Sequence, residues 1–274
     1  MAITQTRTMN NGVSIPVNGF GVFQADDKQT EEAVLWALEA GYRHIDTAKI
    51  YNNEKAVGRA VASCGIPRED IFITTKLWNQ NMRDNRQADA FEESLDRLGM
   101  DYVDLYLIHW PVHNFVDSWR IMEKIYADGK ARAIGVSNFQ PHHLNTLAEQ
   151  TNIVPAVNQV ECHPYLAQHE LQAFCEERNI MVEAWSPFGG AGAGILKDPA
   201  IQAIAEAYGK DVGQIVLRWL IQRGIIALSK SVTQERIASN VDVFSFSLDA
   251  SAMRAMESLN QNRRLGADPD NFSF

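Results

Sequence analysis

Short apolar runs alternate along this chain with longer segments whose apolar positions recur at three- and four-residue spacing. Ala33, Val34, Ala37 and Leu38 form one face of a helix that Gly41 ends, and His44-Ile45-Asp46 follows as a strand. Trp119, Met122 and Tyr126 mark another helix before Gly129, with the strand Arg132 to Val136 after it. Val212, Ile215, Val216, Trp219 and Leu220 give a later helix one continuous apolar face. Further strands are expected at Ile71 to Lys76, Leu105 to His109, Ala156 to Gln159, Ile180 to Ala184 and Ile225 to Leu228. Near the start, the Asn-Gly step in MNNGVSIPVNGFGVF predicts a β-hairpin, and its Gly-Phe-Gly stretch supplies the first of eight strands. Alternation of strand and helix argues for a parallel sheet, and eight units over this length favour a closed (β/α)8 barrel of the TIM type. No linker or composition break interrupts the pattern, so residues 1–274 are expected to form one α/β domain. Trp78 to Arg86 and Gly189 to Asp198 exceed minimal loops and fall where a barrel's carboxyl-end rim forms. The glycine-rich run within the second reads equally as a lid or as a permissive loop.

Composition narrows the partners. An apolar share of 46% with 22% charged residues is ordinary for a globular chain with a sizeable core. Thirty-four acids against 25 bases leave a net charge of −9, which argues against nucleic acid or an anionic membrane as the main partner. The three cysteines, Cys64, Cys162 and Cys175, have no metal-ligand spacing and read as buried thiols in a reducing compartment. The N-terminus lacks a signal-peptide stretch, and no run approaches the roughly 20 apolar residues of a membrane span. A soluble, cytoplasmic, monomeric protein is the expectation.

Candidate chemistry lies at the strand ends. Asp46, Lys76 and His109 each end an apolar run, and Tyr51 follows Asp46 closely. A parallel barrel builds its active site from side chains delivered in this way. Singly, each residue has a plain structural use: a helix cap for Asp46, a packed ring for Tyr51, a rim lysine, a core histidine. Together they suit proton donation to a carbonyl oxygen. A phenol has an ordinary pKa of about 10 and is a poor acid at neutral pH. An adjacent ammonium, itself held charged by a carboxylate, eases release of its proton, and an imidazole can orient the carbonyl.

The chain resembles the aldo-keto reductases along its whole length. DTAKIYNNEKAVG is similar to the family's first signature. Met122, with Arg132-Ala133-Ile134-Gly135-Val136-Ser137-Asn138-Phe139 ten residues on, is similar to the second. KLW at 76–78 and LIHWP at 107–111 match the lysine and histidine segments. The likeness is greatest to short bacterial and protozoan members, such as 2,5-diketo-D-gluconate reductases and the prostaglandin F synthase type, which have a similar ending to Arg264-Leu265-Gly266-Ala267-Asp268-Pro269-Asp270. The resemblance implies an NADPH-dependent reductase of aldehydes and ketones on a (β/α)8 barrel, with Asp46, Tyr51, Lys76 and His109 as its catalytic set. It implies that Ser137, Asn138 and Gln159 bond the nicotinamide carboxamide and that Trp185 stacks on the ring. It assigns Gly21, Val22 and the segment Ser186, Pro187, Phe188 and Gly189 to the cofactor as well. Lys230, Ser231, Val232, Arg236 and Asn240 would meet its adenosine phosphate and adenine. Phe23, Ile50, Trp78, His109 and Trp110 would line the substrate pocket, and Asn262 to Phe274 would fold over the mouth.

Two departures stand out. Leu228-Ser229-Lys230-Ser231 replaces the usual isoleucine-proline-lysine-serine, which predicts a looser adenosine site. Ser239 stands where many relatives carry a glutamate that contacts adenine. Two rival classes stay open: a cofactor-sensing or structural protein on the same fold, and a metal-dependent barrel enzyme using Asp46 and His109. The second is disfavoured because Lys76 would repel a cation, and no metal site is expected.

Overall fold

In the computed structural model, which describes residues 5–190 and 192–274, the predicted strand segments close into a single barrel. Strands β1 (Thr6–Thr8) and β2 (Ser14–Pro16) form the antiparallel hairpin, with Arg7 opposite Ile15. The barrel strands are β3 (Asn18–Gly21), β4 (His44–Asp46), β5 (Phe72–Leu77), β6 (Leu105–Ile108), β7 (Ile134–Ser137), β8 (Val157–Glu161), β9 (Met181–Trp185) and β10 (Ile226–Ser229). All eight run parallel in chain order, and β10 closes on β3. Each lies within two residues of its expected bounds.

The helices form where local chemistry permits. Asp26 caps Asp27–Ala40 in a reciprocal capping box with Gln29, and Gly41 ends it at φ 112°, which glycine adopts without strain. Asp211 does the same for Val212–Gln222 through Gln214. Trp78 to Arg86 is not an open loop: it carries the short helix Asn79–Arg83. Gly189 to Asp198 holds a turn at Ile195–Lys197, and its Ala191 lies outside the described residues.

Two apolar clusters hold the barrel. The larger fills the layer between strands and helices. The smaller sets Met9 and Ile15 of the hairpin segment against Phe72, Leu105, Ala133, Ala156 and Ile226, near the strand starts. The hairpin thus plugs the amino-terminal end, and the chemistry is left to the carboxyl end. No helix among the described residues is long and apolar enough to cross a membrane.

Helix Glu54–Ser63, which follows Tyr51, packs tightly on helix Gln87–Leu98. A Cβ added at Gly58 would come within 2.2 Å of the Leu98 carbonyl oxygen, a backbone atom that cannot step aside alone. Gly58→Ala is therefore expected to destabilise the fold by roughly 1–3 kcal/mol through overpacking. The urea midpoint reads this out, and an unchanged midpoint would show that the two helices separate freely.

Candidate active site

The carboxyl ends of β4, β5 and β6 bring the predicted residues together. Asp46 ends β4 and pairs with Gly21 of β3. The chain then turns through Lys49–Tyr51, with Asn52 in the left-handed region at φ 57°. Asn53 secures this turn: it donates to the Val22 carbonyl at 2.9 Å and accepts from the Thr47 hydroxyl at 2.9 Å. Buried Glu54 ties the following helix to β5, accepting from the Thr75 hydroxyl at 2.6 Å and from Arg97 at 2.6 Å. Tyr51 is thus fixed between two strand ends.

Lys76 is wholly enclosed. Its ammonium donates to both Asp46 oxygens at 2.6 and 2.8 Å and to the Thr47 carbonyl at 2.9 Å. Burial works against that charge, but Asp46 first, then Tyr51 and Glu183, outweigh it and raise the lysine pKa. With its three N–H bonds committed, Lys76 acts on Tyr51 chiefly through charge, from 5.1 Å to the ring centroid. Asp46 is no helix cap; its second oxygen also accepts from Gln159 at 2.9 Å.

The phenol differs from expectation. Burial raises the Tyr51 pKa by more than the opposing Lys76 charge lowers it, so the phenol stays protonated through the neutral range. Burial, and then Lys76, push His109 well below the ordinary histidine value, so its ring is neutral. That ring lies edge-on to Tyr51 at 5.7 Å and to Trp78 at 5.2 Å, with Nδ1 enclosed and unpartnered among the described residues.

Asp46, Tyr51 and His109 line a cavity of about 500 Å³, and Lys76 is not among the lining residues. Phe23, Ile50, Trp78, His109 and Trp110, the predicted substrate residues, all line it. Of the predicted cofactor residues, Gly21, Ser137, Asn138, Gln159, Trp185, Ser186, Pro187, Phe188 and Lys230 line it too. Val22, Gly189, Ser231, Val232, Arg236 and Asn240 do not. Val22 is buried beside Asp46, donating to its carbonyl at 3.2 Å; Gly189 donates to the Ser186 carbonyl at 2.8 Å. The Ser231 hydroxyl caps Thr233, Val232 and Arg236 are exposed, and the Asn240 carbonyl accepts from Asn18 at 3.1 Å.

One wall is prearranged. Asn138 donates to the His109 carbonyl at 3.0 Å and accepts from the Trp185 indole at 2.9 Å, which sets the indole plane. Asn138 and Ser186 both hold left-handed backbone, at φ 66° and 49°, strain of a kind that clusters at functional sites. Ser229 is buried, and its hydroxyl meets the buried Tyr42 hydroxyl at 3.0 Å. Ser239 is engaged with Asp211 at 2.5 Å.

Phe274 belongs to the C-terminal segment expected over the mouth; two further residues of the site, Glu161 and Glu183, escape reading from the sequence. Phe274 stacks on Trp78 with planes 3° apart, lies edge-on to Trp110 and lines the cavity. Glu161, fully buried, accepts from the backbone of Leu265 at 2.7 Å and Gly266 at 3.0 Å, fastening the C-terminal segment. Gly266 then lies so close to Trp185 that a Cβ would come within 2.5 Å of the indole. Glu183 accepts from Gln159 at 2.7 Å beneath the Lys76 pair. For Glu183 the one visible signal is an acid inside an apolar strand, whereas Glu161 ends a strand that already carries Asn158 and Gln159 and gives none.

Among the described residues, His142, His143 and Asp270 bring potential ligand atoms within 4.8 Å of one another. His143 Nδ1 accepts from the Gln140 backbone N–H at 3.1 Å, so Nε2 carries the proton of the neutral ring and is a donor, not a ligand. Asp46 and His109 belong to no such group.

Comparison with known proteins agrees with this fold. The aldo/keto reductase family model matches residues 18–261. A 9,11-endoperoxide prostaglandin H2 reductase of Trypanosoma cruzi is 49% identical over 97% of this chain and 95% of its own length. A glyoxal reductase of Bacillus subtilis is 44% identical over 100% and 99%. The fold matches that of a Bombyx mori aldo-keto reductase solved in complex with NADP, with TM-score 0.92 and 38% identity over 97% of this chain and 96% of that one. Barrel and sequence agree: this chain belongs to the aldo/keto reductase family.

Proposed function

We propose that this chain, as one barrel domain, reduces aldehydes and ketones to alcohols with NADPH, and that Tyr51 donates the proton. The observation that carries the reading is the enclosed Lys76 ammonium, held at 2.6 and 2.8 Å by Asp46 beside the Tyr51 ring. Hydrophobic residues of similar volume would hold the barrel as well as a buried ion pair does, so stability alone does not call for the pair. A phenol beside it at an aromatic cavity supplies the use.

The cavity residues suit a nicotinamide. The Trp185 indole, set by Asn138, offers a flat face, and Ser137, Asn138 and Gln159 offer hydroxyl and amide groups near it. Among the described residues, Lys230 and Arg236 have no carboxylate partner, which leaves both cations for phosphate. When bound, NADPH supplies the hydride that reaches the carbonyl carbon. The neutral His109 ring can donate one hydrogen bond to the carbonyl oxygen and orient it. Tyr51 delivers its proton to that oxygen, and Lys76 stabilises the phenolate left behind. Phe23, Trp78, Trp110 and Phe274 form apolar walls that admit varied substrates, because the fixed polar contacts address only the carbonyl. Small dicarbonyls such as methylglyoxal, keto sugars and prostaglandin-like ketones fall within that range, and the name of the Bacillus subtilis relative, a glyoxal reductase, supports the first of these.

Tyr51→Phe should lower kcat for a small aldehyde by about 10²–10⁴-fold while the NADPH Kd, read by fluorescence quenching, stays within about twofold. Turnover near wild type would remove Tyr51 from its role. Arg236→Ala should weaken NADPH by about tenfold or more, the scale of one charge-assisted hydrogen bond, and leave NADH nearly unchanged. An equal loss for both would show that Arg236 does not read the 2′-phosphate.

A further inference from the structure

Beneath the Lys76–Asp46 pair lies a second carboxyl with no place in the mechanism above. Glu183 sits in the middle of β9 and is fully buried. Its Oε2 accepts from Gln159 Nε2 at 2.7 Å, and the same amide nitrogen donates to Asp46 Oδ2 at 2.9 Å. One amide thus spends both its hydrogens on two carboxyl groups. Glu183 Oε1 is enclosed without a partner. The nearest candidate, His44 Nε2, is 3.7 Å away and engaged with the Thr74 hydroxyl at 3.0 Å.

We infer that Glu183 is a positioning residue for the reduction: it fixes Gln159 and, by gaining or losing its own proton, sets how readily Tyr51 gives up its proton. The inference rests on the reductase reading. Charge counting supports it. The titratable and charged groups around Glu183 are His44 and Asp46 from β4 and Lys76 from β5, with the uncharged Gln159 from β8; the neighbouring β10, Ile-Ala-Leu-Ser, brings none. Lys76 and Asp46 cancel each other. Burial pushes His44 down to about 4, so it cannot supply a compensating charge near neutral pH. An ionised Glu183 would therefore leave one net negative charge in an enclosed site. Burial first, then Asp46, push its pKa up to about 8. In the neutral range the group is a carboxylic acid, and the unpartnered Oε1 is where its proton sits.

The consequence has a sign. Below its pKa, Glu183 is uncharged and leaves the Lys76 ammonium free to stabilise the Tyr51 phenolate. Above it, the added negative charge opposes phenolate formation, and the proton becomes harder to give. Acting through Lys76, that charge should slow reduction on the alkaline side by about tenfold, the scale of one charge at intermediate dielectric.

The test uses the full chain with NADPH and a small aldehyde. In the wild-type protein kcat should fall with a midpoint near pH 8, and in Glu183→Gln that limb should vanish or move well upward. An unchanged limb in a folded variant overturns the inference. Infrared difference spectra of the wild-type protein without cofactor give a readout independent of turnover and of the variant's folding. One protonated carboxyl band should fade as pH rises through about 8; absence of such a band overturns the inference. Should the protein reduce no carbonyl compound at any pH while that band titrates, it is the reductase reading that fails.

Discussion

The Lys76–Asp46 ion pair is the constraint on which the site depends. Both side chains are buried, and each charge would be costly to enclose alone. The pair is tolerable because its hydrogen-bonding capacity is met: Lys76 spends its donors on Asp46 and the Thr47 carbonyl, and Asp46 also receives Gln159. Breaking such a pair by removing one partner typically costs about 3–5 kcal/mol. The pair therefore fixes how β4 and β5 sit relative to β8. Tyr51 inherits its position from that registration through the short turn after Asp46, secured by Asn53 and Glu54.

Around this polar floor the walls are of another kind. Trp78, Trp110 and Phe274 meet through ring contacts rather than charge, and Phe274 reaches them from the far end of the chain. The C-terminal segment is secured by the buried carboxylate of Glu161, which takes two backbone N–H groups and sets Gly266 against the Trp185 indole. Floor and walls are held by separate forces. The substrate wall can therefore vary in shape while the proton-handling geometry stays fixed. On the proposed function, this physical division would let one floor serve carbonyl compounds of different size.

Much of this is legible along the chain. Apolar periodicity finds the barrel strands within two residues, since buried parallel strands are continuous apolar runs. Asp46, Lys76 and His109 stand out because each interrupts such a run at its end. Glu183 interrupts one too, but at its middle, where an acid reads as an irregularity until Gln159 and Asp46 are seen beside it. The helix Asn79–Arg83 was hidden in a stretch with no apolar period. The effect of burial on Tyr51 was likewise invisible: Lys76 lowers its pKa as the residue types suggest, but enclosure outweighs that charge.

Local order and residue type settle the barrel, its polar strand ends and the family, because periodicity and motif spacing belong to neighbours along the chain. Protonation states, the anchoring of Trp185 and the shape of the mouth are decided only when the barrel closes. They depend on groups such as Asp46 and Gln159, far apart in sequence and 2.9 Å apart in space, and on how much water that closure leaves between them.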